Sequence, residues 1–430
     1  MLRDDPAARK FESLFGPERG DDRPLERSRV RKALTALNSP QWNMPPTFHI
    51  AGGAGKGSTI AFMRAIAEAA GLTVHVFSAP HLLHLRERFR VAGALAETQQ
   101  LIDLAERLSY LRVDLTNFEA QVVCAFSLFA NSPADIAFIE AGDGGREDAT
   151  NVIPSPVATI LTTIDLHEPD LPHDRVVELA RDRSGIMKGG VPMVAARQHE
   201  DVKLVLEQMA QRLGAPILGG GADWNAHAAV GSMSFHYLTR ALDLPPPALV
   251  GAHQIDNAGL AAATLLTWGD RRITPLALAT GMTSAQCRGR LEPITSGGLH
   301  KLGAGAELWV DCGQSAQAAS ALALALRDMA RRRPARTVAV LGIEARSGWR
   351  GFVERVAPEV DAVVAAALGP GGVDPSAIEE IVNEGGVASA KTGTLRGAIS
   401  CAVELGAGRI LICGSCALAG QALQDTRPIN

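Results

Sequence analysis

The chain has 430 residues, 47% of them apolar and 20% charged, a balance that allows a large buried core and excludes disorder over most of its length. A net charge of −4, with basic runs as short as Arg331-Arg332-Arg333, gives no electrostatic footprint for nucleic acid. No apolar run is long enough to cross a bilayer, and the charged start Met1-Leu2-Arg3-Asp4-Asp5 lacks a signal-peptide core, which points to the cytoplasm.

In chain order, residues 1–30 are charge-rich and contain prolines, so they read as a tail leading into a helix over about 25–37. Thr47-Phe48-His49-Ile50 is short, apolar and partly β-branched, which predicts a buried strand. After Ser58 the apolar residues Ile60, Met63, Ile66, Ala67 and Ala70 recur at helical spacing, and Gly71 supplies a stop. The alternation goes on with strands over about 72–77, 135–139, 157–164 and 191–195, and helices near 97–108, 119–130 and 175–183. Such alternation favours a parallel sheet with helices on both faces.

A second series follows residue 290. Strands are expected at 308–310, 338–341, 362–365 and 410–412, with helices at about 315–332, 376–383 and 394–405 between them. This reads as a smaller doubly wound domain joined by a polar hinge at 283–292. The boundaries expected are residues 1–284 for the first domain and 285–430 for the second.

The six cysteines are too sparse for a disulfide framework. Cys413-Gly-Ser-Cys416 has CxxC spacing, compatible with redox chemistry or half a zinc site. With no second pair, and with Ile410-Leu411-Ile412 before it, the simpler reading is a strand-to-helix turn made of small residues.

The strongest local signal is a strand, then Gly52-Gly53-Ala54-Gly55-Lys56-Gly57-Ser58-Thr59, then a helix. Small residues let backbone N–H groups close around a triphosphate, and the helix N-terminus adds its positive dipole end. Lys56 can reach the β- and γ-phosphates, while Ser58 or Thr59 can ligate Mg²⁺. The spacing is the short G-x-x-G-K-x-S form, because Ile50 stands where a general phosphate loop has its first glycine. The competing structural reading is an Ala/Gly-rich turn that packs a helix on a sheet. The second signal is Glu140 at the end of a buried strand, where it would face the ligand crevice of a parallel sheet and hold Mg²⁺.

Several motifs in order along residues 25–425 carry a resemblance. They are the phosphate loop, Ser78-Ala79-Pro80-His81-Leu82 with Glu87-Arg88, Glu140 to Asn151, and Gly185-Ile186-Met187-Lys188-Gly189-Gly190-Val191-Pro192. His253-Gln254 with Asn257-Ala258, Gly289-Arg290 with Glu292, and Gly414-Ser415 complete the set. Together they resemble the folylpolyglutamate synthase/dihydrofolate synthase family, a branch of the Mur ligases. The resemblance implies a Mur-ligase-like P-loop ATPase domain followed by a smaller Rossmann-like α/β domain. It implies ATP and Mg²⁺ as cofactors, and a pterin or folate carboxylate and L-glutamate as substrates. It also implies Asn257 and Arg290 on the nucleotide, Asp311 on the ribose, and Pro80, His81, Glu87 and Arg88 in the segment used near the pterin. Family precedent points to a monomer.

The sequence departs from the family where chemistry is expected. Gly53-Ala54 replaces Thr-Asn in the loop, which leaves the backbone donors intact. The family's second-metal histidine aligns with Glu168, a hard oxygen donor, or with His167 after a one-residue slip. Arg183 replaces a lysine that is carbamylated in the family; arginine stays cationic and cannot ligate a metal, though it can neutralise a phosphate. Gln314 stands for a histidine, and Gly342 to Ser347 lacks a Lys-Asp pair. Two readings follow: a ligase with Lys56, Glu140, Glu168 and Arg183 as its catalytic set, or a divergent ATP-binding paralogue with a regulatory role.

Overall fold

The computed structural model describes residues 5–18, 23–142, 144–164, 173–345, 348–424 and 426. The chain divides into two compact units. The larger comprises Arg3–Ala248 and Gln254–Gln286, and the smaller is built from Leu249–His253 and Cys287–Asn430.

In the larger unit, strands β1 (Thr47–Ala51), β2 (Val74–Phe77), β3 (Phe89–Val91), β4 (Ala94–Leu95), β5 (Ile136–Glu140), β6 (Ala158–Leu161), β7 (Met193–Ala195) and β8 (Ile217–Gly219) form one sheet. Their order is β4-β3-β2-β5-β1-β6-β7-β8, so β1 lies at the centre, parallel to β5 and β6. Every residue of β1, β2, β5 and β6 is buried, as expected of parallel strands covered on both faces. Only the outer hairpin β3–β4 is antiparallel to its neighbours.

The helix Lys56–Ala69 starts directly from the loop after β1, with Gly55 in the left-handed region as its cap. The helix Asn117–Ala130 is closed by a capping box: Thr116 Oγ1 accepts from the Glu119 N–H, and Glu119 accepts from the Thr116 N–H. The expected tail contains a ten-residue helix, Pro6–Phe15. Asp5 caps it by accepting from the Ala7 and Ala8 N–H groups, and Phe11 and Phe15 place its apolar face in the core. Burying Phe11 completely contributes ~2–3 kcal/mol toward docking a helix that charge content alone disguised.

Residues 200–284 hold elements that the periodicity did not reveal. They include a helix Glu200–Leu213 and an antiparallel sheet of β9 (Trp224–Ala229), β10 (Ser232–Tyr237) and β11 (Arg240–Leu244). This small sheet packs on the helix His253–Trp268 at Gly259, where an added Cβ would lie 2.6 Å from the Ala226 Cβ and 2.8 Å from the Trp224 ring. The helix Pro275–Ser284 approaches the phosphate-loop helix as closely at Gly281, whose Cβ would meet the Ile66 backbone at 2.5 Å. Glycine at these two positions therefore sets how near the helices lie.

The smaller unit contains β12 (Glu292–Ile294), β13 (Glu307–Val310), β14 (Thr337–Leu341), β15 (Ala362–Ala366), β16 (Ala388–Thr392) and β17 (Arg409–Cys413). Their order is β12-β13-β17-β14-β15-β16, all parallel except β12. Cys413 ends β17 and Cys416 opens the helix Cys416–Leu423, with Gly414 at φ 107° and Ser415 as the cap. The CxxC pair is thus a strand-to-helix turn with no disulfide, Cys416 Sγ donates to the Cys312 carbonyl, and burial pushes the Cys413 thiol up. Among the described residues no helix is long and apolar enough to cross a membrane.

Candidate functional site

Three parallel strands of the larger unit bring the sequence-predicted groups to one edge. The register pairs Ile50 of β1 with Glu140 of β5, and the Ala141 N–H continues the ladder to the Ile50 carbonyl at 2.8 Å. The phosphate loop and Glu140 therefore leave adjacent strands side by side. From β2 the Ser78-Ala79-Pro80 segment joins them, and the Ala79 N–H donates to Glu140 Oε2 at 3.3 Å. This is the carboxyl edge, where parallel α/β sheets bind ligands.

The loop itself is pressed against the end of β6. Gly52 has φ 128°, and a Cβ there would stand 2.3 Å from Thr162 Oγ1; the Gly53 N–H donates to the Thr163 carbonyl at 3.2 Å. Gln198 secures that support, donating to the Thr162 carbonyl at 3.1 Å and accepting from the Ile164 N–H at 2.9 Å. Gly53, Ala54, Gly55, Lys56 and Gly57 remain half-buried, so the loop backbone is partly open to solvent. Lys56 Nζ folds back onto the loop, donating to the carbonyls of Gly52 at 3.3 Å and Gly53 at 3.2 Å.

Ser58 and Thr59 are buried at the first turn of the helix, and Thr59 Oγ1 has no hydrogen-bond partner. Glu140 is also buried, and its Oε2 lies 4.0 Å from where a Cβ on Gly57 would be. Ser58 and Glu140 are hard oxygen donors, which suits a divalent cation held together with phosphate oxygens. Among the described residues there is no cluster of three His, Cys, Asp or Glu side chains able to hold a metal alone. Protein donors here are fit to share a cation with a ligand rather than cage it.

Asn257 sits beside the loop: a Cβ on Gly55 would meet its Oδ1 at 2.4 Å. It donates to Gln254 Oε1 at 3.0 Å, and Gln254 Nε2 donates to Ser58 Oγ at 3.3 Å. Nothing in the spacing of Gln254 along the chain shows that it reaches Ser58, so the sequence offers no signal for this contact.

The segment expected near a heterocycle is more internal than its polarity suggests. Pro80 is exposed, and His81 is half-buried with its Nδ1 accepting from Arg88 Nε at 2.9 Å. Arg88 is buried and also donates to Gln121 Oε1 at 2.9 Å and to Glu18. Glu87 accepts from the Leu82, Leu83 and His84 N–H groups at 2.9–3.0 Å, so it caps the turn that presents His81. Of these four, Pro80 is exposed, His81 and Glu87 are half-buried and Arg88 is buried.

Arg183 ends the helix His173–Arg183, with Nη1 donating to Asp182 Oδ2 at 3.3 Å. Gly145 packs on that helix end, and the Arg146 N–H donates to the Asp182 carbonyl at 2.9 Å. Asn151 ties the region together by donating to the carbonyls of Arg146 and Gly185 at 3.0 Å and accepting from Lys188 Nζ at 2.6 Å. Burial, with Arg27 and Arg31 nearby, lowers Lys188 to about 8. Glu168 and His167 lie outside the described residues, as do Arg346 and Ser347.

In the smaller unit, Asp311 follows β13 and accepts from the Leu291 N–H at 3.0 Å and the Gly313 N–H at 2.7 Å. Leu291 is held at φ 41°, a strained angle for a γ-branched residue, and the Asp311 contact fixes it. Arg290 donates to the Gly289 carbonyl at 3.4 Å and contacts the Cys312 sulfur. Burial lowers His253, against the pull of Asp311. Gln314 Oε1 is buried without a hydrogen-bond partner.

A glycine-and-lysine phosphate loop beside a buried carboxylate, on the central strands of a parallel sheet, defines a P-loop α/β protein. No protein-family model matches the chain. It is 30% identical over 283 residues to the dihydrofolate synthase/folylpolyglutamate synthase of Bacillus subtilis, covering 62% of this chain and 65% of that one. It is 31% identical over 282 residues to the Escherichia coli protein of the same description, covering 64% and 63%. In sequence the chain thus spans just under two thirds of these relatives.

The structural likeness runs further. Mycobacterium tuberculosis folylpolyglutamate synthase, solved with ADP and AMPPCP, superposes with a TM-score of 0.83 over 99% of both chains at 26% identity. E. coli FolC, solved with DHPP and ADP, gives 0.83 at 25% identity over 99% of this chain and 98% of that one. The Yersinia pestis bifunctional enzyme, complexed with AMPPNP and Mn ion, gives 0.84 at 25% identity over 98% of both chains. In sequence and in fold the chain is similar to the folylpolyglutamate synthase/dihydrofolate synthases of the Mur ligase superfamily.

Proposed function

We propose that this protein is an ATP-dependent amide ligase that joins L-glutamate to dihydropteroate, a folate, or both. The observation that carries the reading is the convergence of Lys56, Ser58 and Glu140 at the ends of β1 and β5, with Ala79 hydrogen-bonded to Glu140. Residues 1–284 would form the ATP-binding domain and 285–430 the Rossmann-like ligase domain. The likeness to enzymes solved with nucleotide, DHPP and Mn ion supports the same ligand classes here.

A carboxylate oxygen is a poor leaving group, so the acid must first be activated. The substrate carboxylate attacks the γ-phosphorus of ATP, ADP leaves, and an acyl phosphate forms. The glutamate amine then attacks the acyl carbon, the C–O bond to phosphate breaks, and the amine proton is released. The backbone of Gly52 to Gly57 cradles the phosphates, and Lys56 moves off the loop carbonyls to offset their charge. Ser58 and Glu140 would hold Mg²⁺, which screens the repulsion between the two reacting anions. Asn257 and Arg290 are assigned to the nucleotide and Asp311 to its ribose; Pro80 and His81, presented by Glu87 and Arg88, are assigned to the pterin end.

Glu168 is assigned to a second cation and Arg183 to charge neutralisation, because a guanidinium cannot ligate a metal. The purified chain should release ADP in the presence of ATP, L-glutamate and dihydropteroate or a reduced folate, with a product heavier by one glutamyl unit. Intact ATP binding with no glutamate-dependent turnover would select the binding-only paralogue, the reading that Arg183 and Gln314 favour.

A further inference from the structure

The loop after Glu140 carries a buried polar chain that the reaction scheme does not use. Asp148, Thr150 and His49 are all 1% exposed or less. Thr150 Oγ1 donates to Asp148 Oδ1 at 2.5 Å, and the Thr150 N–H donates to the same oxygen at 2.9 Å. His49 Nε2 lies 2.8 Å from Thr150 Oγ1. The threonine has one hydroxyl hydrogen and commits it to the carboxylate, so His49 must donate through Nε2–H. Burial keeps that imidazole neutral, as a donor in this tautomer requires.

The two ends of the chain fall at informative places. His49 is on β1, three residues before Gly52, and pairs with Ile139, the neighbour of Glu140. Asp148 faces the backbone of Gly142 and Gly144, two and four residues beyond Glu140: a Cβ on either would lie 3.2 or 3.5 Å from its Oδ2. Burying a carboxylate, a hydroxyl and an imidazole costs more than apolar packing of the same shape. What the chain adds is direction, because hydrogen bonds fix relative position where apolar contacts allow sliding.

We propose that His49, Thr150 and Asp148 are positioning residues that set the Glu140 carboxylate against the phosphate loop for the cation accompanying the nucleotide. The inference rests on the loop being the nucleotide site and does not require ligation to occur. ATP affinity of the full chain, measured by calorimetry with Mg²⁺ and with EDTA, tests it. Thr150→Val should cut the Mg²⁺-dependent gain in affinity about tenfold and leave the affinity in EDTA unchanged, and Thr150→Ser should restore the gain.

A full gain in Thr150→Val, an equal loss with and without Mg²⁺, or no rescue by serine would overturn the proposal. Should Thr150→Val fail to fold, Asp148→Asn is measured in the same way: a reduced gain supports the chain and an unchanged gain overturns it. Absence of any Mg²⁺ gain in the unaltered protein overturns it as well. Magnesium-dependent binding without glutamate-dependent turnover would strike only the ligase reading.

Discussion

Lys56→Ala should weaken ATP binding roughly a hundredfold, read by calorimetry or a fluorescent nucleotide analogue. A charge-assisted hydrogen bond contributes about 1.5–3 kcal/mol, and Lys56 is placed to make more than one with the phosphates. Each 1.4 kcal/mol is about tenfold in affinity. The fold should be unaffected, since the ammonium's hydrogen bonds at 3.2–3.3 Å go to the loop's own carbonyls. Unchanged affinity in a folded variant would remove the nucleotide reading of the loop, and with it the ligase.

Glu119→Ala should have the largest effect on stability, a loss of about 3–5 kcal/mol in urea unfolding. The Glu119 side chain is fully buried and accepts from Arg29 Nε at 2.9 Å and Nη2 at 2.8 Å. It also accepts from the Glu26 N–H at 2.8 Å and the Thr116 N–H at 2.9 Å. Removing it takes the buried carboxylate from the Arg29 guanidinium, which keeps only the half-exposed Glu26 at 3.3 Å and the Pro24 carbonyl, and opens the cap of the helix Asn117–Ala130. It also frees the start of the helix Arg27–Ala36 from the core. Glu119→Gln keeps the shape and should lose less. A change under about 1 kcal/mol in the alanine variant would show that the pair is not what anchors this segment.

Stability should also fall as the solution is acidified below pH 6.5. Burial, with a smaller push from Lys188, lowers His49 to about 3. Between about 3 and 6.5 the unfolded chain binds a proton that folded His49 refuses, so acid favours unfolding across that window. In His49→Gln the slope of stability against pH there should be shallower by ~1.4 kcal/mol per pH unit. Parallel slopes for the two proteins would show that His49 does not titrate as its burial implies.

Much of this was legible in the residue order. The phosphate loop could be read because its chemistry is local: small residues, a lysine and a hydroxyl must be close in the chain to act together. The strands β1, β5, β6, β14, β15 and β17 could be read because full burial on both faces requires unbroken apolar runs. The helix Pro6–Phe15 was hidden by its charges, as only Ala7, Phe11 and Phe15 mark its buried face. The strands β9 to β11 do alternate, with Met233, Phe235 and Tyr237 buried, but they are short and half-exposed. The Gln254–Ser58 and Ala79–Glu140 contacts join residues 196 and 61 positions apart, and no spacing rule reaches that far.

By itself the sequence determined that this protein has a phosphate loop on a parallel α/β sheet, because those properties rest on local chemistry and periodicity; the likeness to Mur-type ligases came from motifs matched in order along the chain. Only the tertiary structure decided what surrounds the loop. It made Glu87 the cap of the turn that carries His81 and brought Gln254 to Ser58. It also joined His49 to Asp148 through Thr150, since a buried polar group must find partners wherever the fold carries them.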